Sequence, residues 1–200
     1  MRRFTSHKAA LRLCVAGTLA MLLNGCSNTP GGPPVTTSKK TEMHPVSITL
    51  EETFSVPRRT LFDFIVAEDV LPKVLTGYGP LPGVVSTRDV SGPWDRPGSW
   101  RHVVLTDGGT AREQVTAFDR ETYFAYQVSE FTFAVKYLAT HAQGQWWFTE
   151  PQTGETQVRW TYTFYAKNSL AVVPLKIFAT LFWRGYMKVC MDRTREQLGD

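Results

Sequence analysis

The chain has 200 residues, of which 22 are Lys or Arg and 18 are Asp or Glu. Four of the basic residues and none of the acidic ones lie in the first 25 positions, so the rest of the chain carries 18 of each. No excess of positive charge remains to suggest nucleic acid as a partner, so nucleic acid is not among the expected partners.

The first 25 residues have the pattern of a secretory signal peptide. Arg2, Arg3, Lys8 and Arg12 give a positive start, and a mainly apolar run over residues 13–23 follows. That run is too short, and its flanks are wrong, for a membrane-spanning helix. The sequence therefore predicts export from the cytoplasm.

Residues 23–26 read Leu-Asn-Gly-Cys, which resembles the lipobox of bacterial lipoproteins. The resemblance implies that the Cys26 thiol receives a diacylglycerol, that the chain is cut before Cys26, and that the new amino terminus is acylated. Several acyl chains anchor a protein stably to a membrane. Ser27 follows the cysteine, whereas the signal for retention in the inner membrane resembles an Asp at that position. The expected location is therefore the outer membrane, facing the periplasm. The alternative is an ordinary signal peptide with an incidental cysteine.

Residues 26–45 predict a lipidated cysteine followed by a flexible linker. The segment is rich in Pro, Gly, Thr and Ser and has too few apolar residues for a core. In an extended conformation it could hold the following domain roughly 60 Å from the lipid surface. Residues 46–200, roughly 155 positions, suffice for one domain with a hydrophobic core.

The folded part begins with a predicted strand at 46–56, in which Val46, Ile48 and Leu50 alternate with polar residues. Pro57 then precedes a predicted helix at 58–66, and a second short helix is predicted near 69–75. Residues 76–83 contain too much Gly and Pro for regular structure. Six further strands and a final helix are predicted at 84–90, 99–105, 111–118, 123–128, 137–149, 156–166 and 170–198.

This element order, together with several short motifs, resembles the SRPBCC or START-like superfamily of polyketide cyclases, lipid-transfer domains and plant ligand-binding allergens. The motifs lie at residues 98–101, 103–109, 112–113, 119, 126–128 and 158–160. The resemblance covers about residues 46–198. It implies an α+β helix-grip fold, in which a curved antiparallel sheet of six to seven strands holds a long C-terminal helix over a hydrophobic cavity. Two short helices follow the first strand.

Arg101 and Glu113 are predicted to share the concave face of this sheet. If residues 107–109 form a hairpin loop, Thr106 lies opposite Thr110, and Arg101 lies diagonal to Glu113, within reach of long side chains. A charge in an apolar cavity needs a partner. The two side chains either pair with each other or hold the polar head of a ligand.

The remaining candidate residues are apolar or aromatic side chains that alternate along the strands or recur along the final helix. A cavity lining of this kind is predicted for Val103, Val115, Tyr126, Trp146, Trp160, Tyr162, Phe178 and Phe182, with Arg101 and Glu113 among them. Tyr78 and Leu81 are predicted to gate it from the loop at 76–83. The alternatives are an ordinary tight core and an exposed loop.

Residues that carry catalytic or metal chemistry are sparse. His44, His102 and His141 do not lie beside carboxylates at metal-ligand spacing, and no phosphate-binding glycine loop or paired cysteine motif occurs in the sequence. Cys14 falls in the signal peptide and Cys26 at the anchor, so Cys190 alone remains. Cys190 is predicted to be buried and to pack as a small hydrophobic side chain. No catalytic residue, cofactor or metal is expected, and the expected assembly is a monomer.

Three functions are compatible with the sequence. The first is a noncatalytic, membrane-anchored protein that binds or transfers an apolar molecule, such as a lipid. The second is a cyclase- or dehydrase-like enzyme in which Arg101, Glu113 and Tyr126 polarise a carbonyl group and move protons. The third is an envelope interaction module that uses the hydrophobic surface at 170–183 against a partner or the bilayer, and an exposed patch there without an open cavity would favour it.

Overall fold

One curved antiparallel sheet and a long C-terminal helix make up most of the computed structural model, which describes residues 43–200. The signal peptide, Cys26 and most of the linker lie outside the described residues. The elements are β1 (His44–Phe54), α1 (Arg58–Ile65), α2 (Leu71–Val74), β2 (Val84–Arg88), β3 (Trp100–Leu105), β4 (Thr110–Asp119), β5 (Tyr123–Ser129), a 3-10 helix (Ala134–Tyr137), β6 (Ala139–Gln152), β7 (Glu155–Ala166), α3 (Ser169–Phe178), a π-helical turn (Ala179–Trp183) and α4 (Arg184–Leu198).

The seven strands are ordered β1-β7-β6-β5-β4-β3-β2, and every neighbouring pair is antiparallel. Burial alternates along the central strands, so that one face is buried beneath the helices and the other is half-buried to exposed. The α+β helix-grip fold predicted from the sequence is therefore confirmed, with seven strands and two short helices after the first of them.

Two elements have boundaries that differ from the predicted ones. The sixth strand begins at Ala139 rather than 137, because Ala134–Tyr137 form a 3-10 helix that buries Val135 and leaves Tyr137 71% exposed. The second helix is also shorter than predicted, with only four residues and Pro72 in its first turn. In both places a short apolar run packs on neighbouring elements, α2 on α4 and β2, and the 3-10 helix on β6, rather than continue a periodic pattern.

The β3–β4 hairpin has a different register from the predicted one. Leu105 N donates to Gly109 O at 2.8 Å, so the loop consists of residues 106–108 and Gly109 belongs to the ladder. Gly108 adopts a φ of +83°, and Asp107 Oδ1 accepts a hydrogen bond from Gly109 N at 2.8 Å. Arg101 therefore lies directly opposite Glu113, not diagonal to it, although both still face the core.

The C-terminal helix changes its winding halfway along its length. Arg184 N–H bonds to the carbonyl of Ala179, five residues back, which adds one residue to that turn. Leu175 is buried before this turn, Ala179 is buried at its first position, and Met187 and Met191 are buried after it. Residues Ser169–Leu198 are long and apolar enough to cross a membrane by length and composition. In this fold their buried face packs against the sheet and α2.

Candidate functional site

The candidate site is a cavity of about 80 Å³ between the concave face of the sheet and the C-terminal helix. A second cavity, of about 30 Å³, lies deeper. Leu71, Leu75, Glu113, Tyr126 and Trp160 line both cavities, so the two spaces are neighbours. The walls are almost entirely aliphatic and aromatic, which is the usual composition of a small-molecule site.

Arg101 and Glu113 form a buried ion pair beside the deeper cavity. Arg101 Nε donates to Glu113 Oε2 at 2.8 Å, and both residues are at least 96% buried. The guanidinium also donates to the backbone carbonyl of Glu68 at 2.6 Å and stacks on the ring of Trp94, 3.8 Å from its centroid. Protein groups thus contact Arg101 on several sides. Arg101 lines only the deeper cavity, whereas Glu113 lines both cavities.

Two buried tyrosines contribute the phenol groups of the cavity wall. Burial raises the pKa of Tyr126 well above its ordinary value, and the negative charge of Glu113 raises it further. The pKa of Tyr162 is raised in the same way, mainly by burial. Gly144, directly opposite Tyr126 on β6, leaves the space that the Tyr126 ring occupies. Both phenols therefore remain protonated at neutral pH and can only act as neutral hydrogen-bonding groups.

Two residues in the wall of the larger cavity have buried indole N–H groups. Nε1 of Trp160 and Nε1 of Trp183 are buried and form no hydrogen bond within residues 43–200. Both tryptophans line the cavity. The Trp160 indole lies close enough to the Tyr126 hydroxyl to lower the pKa of Tyr126 as a nearby N–H donor, so Trp183 is the donor without such a neighbour. An unpaired buried donor is costly, because it has lost its hydrogen bonds to water without replacement.

Most of the predicted lining residues reach one of the cavities. Val103 and Tyr162 line the larger one, Arg101 and Trp146 line the deeper one, and Glu113, Tyr126 and Trp160 line both. Val115 is buried but borders neither cavity.

Phe178 and Phe182 were predicted to line the cavity, and the structure places them elsewhere. Both are only half-buried and line neither cavity. The extra residue in the π-helical turn moves the inward position from 182 to 183, and the Trp183 ring packs 4.6 Å from that of Tyr162. Phe178 instead packs on Phe164 with 5.8 Å between ring centroids.

Sequence reasoning missed several residues of the larger cavity, namely Leu71, Leu75, Val84, Leu105, Phe131, Phe133, Trp183 and Tyr186. The alternation of Phe131 and Phe133 between β5 and the 3-10 helix was the available signal for that pair. Leu71 and Leu75 lie at helical spacing around α2, which was the signal for that wall.

The predicted gate residues lie in a tight loop beside the C-terminal helix. Tyr78 and Leu81 exchange backbone hydrogen bonds of 3.0 and 2.9 Å. The Tyr78 ring lies against Gly185, and the Tyr186 hydroxyl donates to Pro82 O at 3.2 Å. Neither Tyr78 nor Leu81 lines either of the two cavities at the candidate site, and a gating role for this loop stays a prediction.

A larger groove, of about 640 Å³, crosses the outer face of the sheet and is lined by residues such as Glu51, Glu52, Trp147 and Arg159. It is open and partly charged, so it lacks the enclosure that an apolar ligand needs. Within residues 43–200, no group of three or more His, Cys, Asp or Glu side chains is placed to hold a metal ion.

Comparison with known proteins agrees with this geometry. A family model described as "Polyketide cyclase / dehydrase and lipid transport" matches residues 45–199. A search of curated protein sequences returned no match.

Three solved structures illustrate the similarity in fold. The protein XoxI from Bacillus cereus has 17% identity and a TM-score of 0.58, with 77% of this chain and 96% of that chain covered. Major latex-like protein 151 from Panax ginseng has 11% identity and a TM-score of 0.58, covering 76% and 97%. Norcoclaurine synthase from Thalictrum flavum, solved with dopamine and hydroxybenzaldehyde, has 12% identity and a TM-score of 0.58, covering 90% and 96%.

Proposed function

The chain belongs to the polyketide cyclase / dehydrase and lipid transport family, and on this premise we propose that it binds or transfers a small apolar molecule without catalysis. The observation that carries the proposal is the apolar cavity between the sheet and the C-terminal helix. Its aliphatic and aromatic wall has few polar groups, so burial of an apolar ligand there is favourable.

The volume of the cavity sets a condition on binding. About 80 Å³ is well below the several hundred Å³ of typical ligand sites, so the wall must move for a drug-sized molecule to enter. The candidates for movement are half-buried side chains at the larger cavity, including Leu71, Leu75, Phe133 and Trp183. α2, with four residues, has little local structure to resist such a displacement.

The polar groups of the wall narrow the class of ligand. The Trp183 and Trp160 indole N–H groups are buried donors without a partner in residues 43–200. A ligand with one carbonyl, ether or hydroxyl oxygen on an apolar body would satisfy at least one of them. Glu113 disfavours an anionic group in the larger cavity, because the Glu113 carboxylate lines that cavity and its partner Arg101 does not.

The sequence of the amino-terminal segment supports a location for this activity. A lipid-modified Cys26 followed by a linker would keep the domain close to the outer membrane, on its periplasmic side. A domain held there meets lipids and their breakdown products at high local concentration. A lipid or a molecule derived from one is therefore the favoured ligand.

The proposal is tested by recovering the ligand and by filling the cavity. Native mass spectrometry of the protein purified from its own host should detect a bound apolar molecule. In parallel, residues 43–200 should bind a fluorescent fatty-acid methyl ester. Val103→Phe should weaken this binding about tenfold, because it fills part of the cavity. The matched control is Val104→Phe, next along β3 on the opposite face, which should leave the affinity unchanged. Absence of binding in both experiments, or equal loss in both variants, would refute the proposal.

A second candidate is a cyclase- or dehydrase-like enzyme. The observation in its favour is that Glu113 and Tyr126 line both cavities, so a carboxylate and a protonated phenol would contact one substrate. Against it stands the engagement of Glu113 by Arg101. The two functions differ in the fate of the recovered ligand: an enzyme converts it to a product of different mass or structure, and Tyr126→Phe and Glu113→Gln abolish the conversion. A binding protein returns the ligand unchanged.

A further inference from the structure

The outward face of α3 and of the π-helical turn carries large apolar side chains where a solvent-facing helix should be polar. Leu170, Val173, Ile177 and Leu181 are 86%, 66%, 54% and 60% exposed, respectively. Their spacing of three and four residues places them on one side of the helix, opposite the buried Leu175 and Ala179. We call these four residues the apolar stripe.

The charges that the helix itself places around the apolar stripe are all positive, while Glu51 and Glu52 of β1 line a groove together with Leu181, Arg184 and Lys188. Lys167, Lys176, Arg184 and Lys188 are exposed, and the sequence contains no Asp or Glu between residues 156 and 191. Within residues 43–200, Lys176 and Arg184 form no salt bridge, while Lys188 lies 3.7 Å from Asp192 at the far end of this segment. A basic, apolar surface of this kind is suited to a negatively charged one.

The surface continues beyond the helix. Lys167 N donates to Leu138 O at 2.9 Å, which places the end of the 3-10 helix next to the start of α3. Tyr137 there is 71% exposed, and the ammonium of Lys136 lies 5.1 Å from the centroid of its ring. Aromatic residues with a polar tip, accompanied by Lys or Arg, are typical of segments that lie at the interface between lipid and water.

We propose that the apolar stripe is a docking surface for an anionic lipid bilayer. The stripe inserts between lipid headgroups, and the surrounding Lys and Arg side chains bind their phosphates. The helix lies on the membrane rather than spanning it, because its opposite face is part of the protein core. This contact is separate from any acyl anchor on Cys26 and from ligand binding in the cavity.

The test measures flotation of residues 43–200 with lipid vesicles. This segment includes its own core and matches 96–97% of two solved protein chains, so it corresponds to a complete domain. It should bind vesicles of equal parts phosphatidylglycerol and phosphatidylcholine, and it should bind vesicles of pure phosphatidylcholine far more weakly. High salt should reduce the binding.

Two sets of variants separate the apolar contribution from the charged one. Ile177→Ser with Leu181→Ser should lower the partition coefficient about tenfold, since two large apolar side chains are removed. Lys176→Gln and Arg184→Gln should each lower it about fivefold on anionic vesicles. The matched control is Val85→Ser on β2, because Val85 is 57% exposed but lies outside the apolar stripe.

The proposal is overturned if residues 43–200 do not float with anionic vesicles, or if the double Ser variant floats as well as the parent. It is also overturned if light scattering shows a dimer that the double Ser variant dissociates, since a second copy then covers the apolar stripe. Thermal unfolding of each variant should match that of the parent, because the substituted side chains are exposed. A variant that unfolds is replaced by Val173→Ser, for which the same decrease in flotation is required.

Discussion

Arg101 and Glu113 lie directly opposite each other on β3 and β4, and 2.8 Å separates Arg101 Nε from Glu113 Oε2 in the buried face of the sheet. Removing both charges from water is expensive, and their mutual attraction offsets that cost only while both partners are present. The two residues therefore act as a unit, in which each makes the burial of the other tolerable.

The first prediction follows from this unit. Arg101→Met should lower the free energy of unfolding by about 3–5 kcal/mol, because it leaves the Glu113 carboxylate buried without its cation. The double variant Arg101→Met with Glu113→Leu should recover most of that loss. Urea unfolding of residues 43–200 measures both values. Equal stability of the single and double variants would contradict the interpretation that the two charges depend on each other.

The second prediction concerns the indole donor at the cavity. Trp183→Phe removes the N–H group and keeps an aromatic ring, so affinity for a fluorescent probe with a carbonyl group should fall about fivefold. Affinity for a hydrocarbon probe should change little. Trp147→Phe is the control, because Trp147 lies on the outer face, where its ring contacts Arg159. A similar loss for both probes would assign the effect to packing instead.

The third prediction uses the half-buried position of Phe182. Phe182→Ala should cost less stability than Leu175→Ala, for which a loss of about 2–5 kcal/mol is expected because Leu175 is fully buried. It should also leave affinity for an apolar probe unchanged, since Phe182 does not line the cavity. Thermal unfolding and a fluorescence titration supply the two values. A lowered probe affinity would restore the position that the sequence predicted for Phe182.

The fourth prediction concerns Cys190, whose pKa is raised to about 12 by burial, with a hydrogen bond from Thr194 acting in the opposite direction. The unfolded chain loses the thiol proton near pH 9, whereas the folded chain keeps it, so stability falls as the pH rises above 9. Cys190→Ala should make the free energy of unfolding less steep between pH 9 and pH 10. Native Cys190 should also react with a thiol reagent only at the rate of unfolding. Rapid labelling at pH 8 would contradict its burial.

The fifth prediction concerns the amino-terminal segment. Cys26→Ala should leave an uncleaved or soluble protein, because the acceptor of the diacylglycerol is removed. Partitioning of that variant into detergent, compared with the parent, is the measurement, and an unchanged detergent-phase fraction would count against lipidation.

Deletion of residues 36–42 should leave the folding of the domain intact, because few of these residues can pack in a core.

The strand pattern of the sheet could be predicted from alternation alone. The error in the β3–β4 register was two residues, which is an even number, so the inward set containing Arg101, Val103 and Glu113 was preserved. A hairpin loop shifted by one residue on one strand would have turned an entire strand over. Because side chains alternate between the two faces of a strand, the error in the turn left the predicted set of inward-facing site residues unchanged.

The helix could not be predicted in the same way. Regular winding places Phe182 inward, whereas the hydrogen bond from Arg184 to Ala179 adds a residue and places Trp183 there. The choice between the two windings depends on packing against Tyr162 and Phe164, which are distant in sequence. The volume of the cavity also depends on how side chains that are distant in sequence pack against each other, and no periodic pattern in the sequence encodes that packing.

The volume of about 80 Å³ between sheet and helix also governs the kinetics of ligand uptake. A larger ligand enters only after the wall has opened, so its observed association rate rises with concentration and then levels off at the rate of opening. The apparent association constant equals that of the open state multiplied by the fraction of molecules that are open, so a small open fraction weakens the observed affinity. Substitutions at Leu75 or Phe133 that ease opening would accelerate both uptake and release, and their effect on occupancy would be smaller than their effect on exchange. For a protein that transfers its ligand, speed of exchange matters as much as tightness of binding.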